Sequence, residues 1–167
     1  MLKAIEKNNR IKEKILVYGI SILISTGVGL LSALATRGNM DIYAELNTPP
    51  LSPPAVLFPI VWSILYVLMG ISAGIIFERR GEAGMLANSA LFVYLGSLVV
   101  NFAWSIIFFN FNVFLLALAW LILLFSMIIR TIILYFLIDR TAAILQLPYA
   151  LWVAFAGYLN LGIWLLN

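Results

Sequence analysis

The chain has 167 residues, 64% of them hydrophobic and 10% charged, with a formal net charge of +3 and neither cysteine nor histidine. Its mean hydropathy of +1.09 excludes a soluble domain of this size, and the missing residue types exclude disulfides, thiolate chemistry and metal sites of the His or Cys kind. The Lys and Arg residues sit in short clusters between apolar runs rather than along a solvated face, so the positive charge reports topology and not nucleic-acid binding.

Five apolar runs, at residues 15–35, 56–77, 86–109, 113–138 and 142–166, are each long enough to cross the ~30 Å hydrocarbon core as a helix. The expected fold class is an all-α integral membrane protein, one five-transmembrane-helix bundle over residues 15–167 behind a basic segment, 1–14. Lys3, Lys7, Arg10, Lys12 and Lys14 precede the first run, Arg79 and Arg80 follow the second, and Arg130 and Arg140 flank the end of the fourth. Arg37 alone falls on the opposite side. This asymmetry places the N-terminus in the cytoplasm and the C-terminus outside, in a bacterial-type inner membrane.

The first run mimics a secretory signal peptide in its basic start and its Ala33, Leu34, Ala35 triplet. Its apolar stretch exceeds the ~7–15 residues of a signal core, and Ser21, Ser25, Gly29 and Ala33 repeat every four residues as a packing stripe. Retention as a helix is the reading adopted. Gly70 and Gly74 form a second such pair on the next helix.

Between the first two helices, loop 36–55 and the start of the next run carry five of the six prolines. Pro49, Pro50, Pro53 and Pro54 forbid continuous helix. Two readings stay open: a stiff lid over a cavity, with Tyr43, Pro49, Pro53 and Pro54 as its candidate residues, or prolines that merely start the second helix, as Pro59 does. The other connections are short, so consecutive helices should be antiparallel neighbours.

Polar and aromatic residues share faces on three helices. Trp62, Tyr66 and Met69 do so on the second; Asn101, Trp104, Ser105 and Phe108 do so on the third at i, i+3, i+4 and i+7. On the uncharged fifth, Tyr149, Trp152, Ala156 and Asn160 form an equivalent stripe, with Ala156 leaving room between larger groups. Such stripes suit a flat, mostly apolar ligand with a few polar atoms. The competing reading makes the asparagines interhelical glue and the aromatics core filler or an interfacial belt, the role assigned to Tyr18 and Trp164. Arg130 is the only ionisable side chain well inside an apolar run, which leaves little for a proton relay or ion coupling. No catalytic or metal-ligating set emerges.

The strings TPPLSPPAVLFPIVWSILYVLMG, NFAWSIIFF and LPYALWVAFAGYLN resemble the tryptophan-rich sensory protein or translocator protein (TspO/MBR) family, also called the peripheral-type benzodiazepine receptor family, over most of residues 42–167. That resemblance implies a five-helix bundle, often a homodimer, binding porphyrins and isoquinoline or benzodiazepine-type ligands in a pocket open toward the proline-rich loop. The implied pocket residues are Trp62, Asn101, Trp104, Ser105, Tyr149 and Trp152, with Ala156 and Asn160 on the same face. No cofactor is required; protoporphyrin or a related tetrapyrrole is the expected ligand and the lipid bilayer the constant partner.

Three departures stand out. Ile42 and Leu51 occupy positions where the family commonly has tryptophans linked to porphyrin photochemistry, and Thr48 replaces a Lys or Arg before the first loop proline. No basic residue follows Tyr158, so the family's sterol-recognition pattern is absent. The expectation is therefore a receptor or sensor for tetrapyrroles; light- or oxygen-dependent porphyrin degradation, and passive or partner-driven transport, are the alternatives.

Overall fold

A computed structural model describes residues 2–39 and 42–167. Two lid-loop positions, 40 and 41, and the side chains of Lys3 and Lys7 in the basic cluster lie outside the described residues. Six helices follow in order: α1 (Leu2–Thr36), the short α2 (Ile42–Glu45), α3 (Leu57–Glu78), α4 (Arg80–Phe109), α5 (Phe114–Phe136) and α6 (Arg140–Leu166). Five of them are long and apolar enough to cross a membrane. The protein is an all-α integral membrane protein.

The apolar runs set the spans, and local chemistry sets their ends. The first helix begins well before residue 15, because nothing in the basic segment 1–14 breaks a helix. Only Arg79 separates α3 from α4, and α4 is broken at Gly84, whose φ of 53° and ψ of −124° suit glycine. The expected start at 86 is thus the point past this break. Asp139 caps α6 by accepting from the N–H groups of Thr141 and Ala142, at 2.9 and 3.2 Å. The prolines do not keep the lid loop wholly extended, since α2 forms ahead of them.

The spanning helices pack as a ring in the order α1, α3, α6, α5, α4, with α3 also touching α4. Small residues on α3 let α1 approach closely. A Cβ on Gly70 would lie 2.5 Å from the Ile22 Cα, and one on Gly74 would lie 2.8 Å from the Tyr18 ring. Beyond Gly74 the seam is closed by polar contacts: Tyr18 donates to Glu78 Oε2 at 3.0 Å, and Lys14 pairs with Glu78 Oε1 at 3.3 Å. Tyr18, expected in an interfacial belt, is therefore also a packing residue between two helices. Arg79 pairs with Glu82 and Asp139, each at 3.2 Å, and these carboxylates hold its pKa above the usual guanidinium value.

At the opposite end, the loop is clasped to α6. Pro49 is buried against Gly162, where a Cβ would come within 2.5 Å of its ring. Tyr158 donates to Pro50 O at 2.8 Å, and the Asn167 amide both accepts from Asn47 N and donates to Asn47 O, at 3.0 Å each. Asn110 links the ends of α1 and α4, accepting from Asn39 Nδ2 at 3.1 Å and donating to Ala35 O at 3.0 Å.

Candidate functional site

A cavity of about 440 Å³ lies in the loop-end half of the bundle, within the size range of small-molecule sites. α3 supplies Phe58, Pro59, Trp62, Ser63, Tyr66 and Val67; α4 supplies Trp104, Ser105, Phe108 and Phe109; α6 supplies Ala156, Leu159, Asn160 and Ile163. Tyr43 and Ala55 come from the loop, while α5 contributes nothing. Among the described residues, no Lys, Arg, Asp or Glu lines it.

The aromatic wall has two layers. Trp62 stacks on Tyr66 with centroids 5.4 Å apart and planes 29° from parallel. Trp104 tilts against Phe108 at 5.5 Å. Behind this surface, Tyr149 meets Trp62 edge-on at 6.1 Å and Trp152 meets Phe58 edge-on at 5.9 Å. Tyr43 in turn packs edge-on against Phe58 at 5.1 Å. Burial raises the Tyr43 pKa, with Ser52 pulling it back in part, so the hydroxyl stays protonated at neutral pH.

Polar atoms are few. Asn101 donates to the Tyr66 hydroxyl at 3.0 Å across α3 and α4. Asn160 accepts from Trp104 Nε1 at 3.4 Å and donates to Phe114 O at 2.8 Å, joining α6 to α4 and α5. Ser32 Oγ is buried beside Tyr66 without the geometry of a hydrogen bond, and Ser105 Oγ has only a long contact to Asn101 O, at 3.5 Å. Both residues line the cavity.

Of the residues singled out in the sequence, Trp62, Tyr66, Trp104, Ser105, Phe108, Ala156 and Asn160 line this cavity. Asn101, Tyr149 and Trp152 do not. They share helical faces with the lining residues but sit one layer back, Asn101 spent on Tyr66 and the other two serving as aromatic backing. The Tyr149 hydroxyl and Trp152 Nε1 are buried with no hydrogen-bond partner. Of the lid residues, Tyr43 reaches the cavity; Pro49, Pro53 and Pro54 do not, because the clasp turns Pro49 onto α6.

The contribution of α1, namely Thr26, Gly29, Leu30, Ser32, Ala33 and Thr36, was not anticipated. Gly29 and Ala33 belong to a small-residue stripe, and part of that stripe does pack: Ser25 is fully buried with its hydroxyl 2.7 Å from Tyr94 OH. Ser32 and Thr36, spaced i to i+4 next to the stripe, were the available sign that this end of α1 faces a site.

Comparison with known proteins matches the TspO/MBR family over residues 21–165. The chain is 36% identical over 147 residues to the translocator protein of Bos taurus, covering 87% of this chain and 86% of that one. It is 35% identical over 148 residues to the tryptophan-rich protein TspO of Archaeoglobus fulgidus, covering 88% and 94%. With the tryptophan-rich sensory protein of Cereibacter sphaeroides it shares 30% identity over 142 residues, 83% and 87% of the two chains. With its five spanning helices and these matches along most of its length, the chain belongs to the TspO/MBR family.

Proposed function

We propose that this protein is a membrane receptor that holds a flat, largely apolar aromatic ligand, of the tetrapyrrole class or of isoquinoline or benzodiazepine type, by stacking and shape. The observation that carries this reading is the uncharged cavity walled by Trp62, Tyr66, Trp104 and Phe108 with few free polar atoms. Rings are recognised there by face and edge contacts, and no residue of the wall is a usual metal ligand. A tetrapyrrole's carboxylates cannot be buried among these side chains without a cation. They belong at the loop end of the cavity, where Arg37 follows the lining residue Thr36 and is the sole basic residue at that end of the chain. The basic-residue asymmetry favours a cytoplasmic location for the Arg79 end.

Protoporphyrin titrated into the protein in nanodiscs should quench tryptophan fluorescence saturably. Trp62→Ala should weaken binding about tenfold or more, as loss of a buried aromatic anchor does. Trp152→Ala, one layer back, should do less. Arg37→Gln should weaken protoporphyrin but not its dimethyl ester. Unsaturable quenching indifferent to Trp62 would overturn the reading, and a new absorbing product under light would favour degradation instead.

A further inference from the structure

We propose that the cavity opens sideways into the bilayer, between α1 and α3, and that its ligand exchanges with the hydrocarbon phase rather than through the proline-rich loop. This inference rests on the reading of the cavity as a ligand site and adds the route by which it is reached.

Apart from Ala55 in the loop, the exposed residues of the lining all lie on α1 and α3. The residues from α4 and α6 are all buried or half-buried, as Trp104, Phe108, Ala156 and Asn160 illustrate. Leu30 and Ala33 on α1, and Pro59, Ser63 and Val67 on α3, are exposed while lining the same cavity. Leu30 is 63% exposed and Val67 38%. These residues belong to facing stretches of two antiparallel helices that cross the membrane, so their exposed surface meets lipid.

The seam narrows away from this opening. Passing toward the Arg79 end, Gly29 lies against the Tyr66 ring, then Ile22 against Gly70, then Tyr18 against Gly74. Past Gly29 toward the loop, α3 offers Ser63 and Pro59 in place of glycine, and these line the same cavity as small Ala33 of α1. The aqueous face is the more firmly closed one: the described part of the loop is held to α6 by Pro49 on Gly162, Tyr158 on Pro50 and the paired Asn47–Asn167 hydrogen bonds. The apolar ring system of a membrane-partitioned ligand would then enter without shedding that environment, while any carboxylates stay at the interface.

Two measurements test this, the first needing no ligand. Nanodiscs containing a phospholipid with a mid-chain diazirine are irradiated and the adducts mapped by mass spectrometry. Adducts are expected on inward residues of α4 and α6, such as Ser105 and Leu159, and are expected to vanish in an Ala33→Trp/Ser63→Trp variant while persisting in a Leu123→Trp control on the exposed face of α5. Adducts confined to outward faces overturn the portal.

In the second, protoporphyrin association and dissociation are followed by stopped flow. Ala33→Trp/Ser63→Trp should slow both by about tenfold or more, whereas Tyr158→Phe and Asn167→Ala, which loosen the clasp, should leave both unchanged. Acceleration by the clasp variants with no effect of the seam variant overturns the proposal. Absence of saturable binding in every form overturns the ligand reading instead, and the lipid adducts then decide the portal alone.

Discussion

The two halves of the α1–α3 seam are built from the same two helices and do opposite things. Toward the Arg79 end, glycines on α3 admit the backbone of α1, and Glu78 ties Tyr18 and Lys14 to the helix end. Toward the loop end, beyond the contact of Gly29 with the Tyr66 ring, α3 presents Trp62 and Ser63, α1 presents Ala33, and the helices enclose a cavity rather than a contact. A small residue brings helices together only when its partner leaves no larger side chain in between. Opposite an aromatic wall, the same small residue makes space.

The contrast can be broken at named positions. Gly70→Ala should have the largest effect, because its Cβ meets the Ile22 backbone, which cannot rotate away; about 1–3 kcal/mol of stability is expected to be lost, as for other overpacked sites. A thermal melt in detergent unchanged by this substitution would mean that the tight half is not tight. Asn101→Ala removes the donor to Tyr66 and should lower stability by roughly 0.6–1.7 kcal/mol, the range for interhelical polar contacts in membranes. It should also loosen the Tyr66 ring in the cavity wall and broaden ligand selectivity.

Gly74→Ala meets only the Tyr18 ring, which can swing outward, so a loss below about 1 kcal/mol is expected, less than at Gly70. Smallest should be Glu78→Gln. Its partner Lys14 is 64% exposed, and such pairs contribute at most about 1 kcal/mol, fading with salt. Comparing melts of this variant and the parent at low and high salt checks the point: a large loss at low salt that shrinks at high salt would show that the ion pair, not glycine packing, holds that half closed.

Much of this architecture was legible in the residues. Trp62, Trp104 and Asn160 stood out because each shares a helical face with other aromatic or polar residues, and each does line the cavity. Tyr149 and Trp152 carried the same signal but back the first aromatic layer, and a helical repeat cannot tell a wall from its support. Periodicity gives the direction of a side chain but not its depth. The lid prolines showed a similar gap. Their stiffness could be read, but not that Gly162 would take up Pro49, a contact between residues 113 positions apart.

By itself, then, the sequence determined the spans, their number and the chemical character of the site, because hydrophobic length and residue type act locally and lipid imposes one rule on every helix. Which faces meet was decided by tertiary structure. Ring order, the clasp of the loop onto α6 and the sideways opening beside Ala33 and Ser63 all depend on side-chain volumes matched between distant segments. The stripe of Ser25, Gly29 and Ala33 shows the division most plainly: its spacing is written in α1, but whether it packs or lines a cavity depends on the residues that face it across the seam.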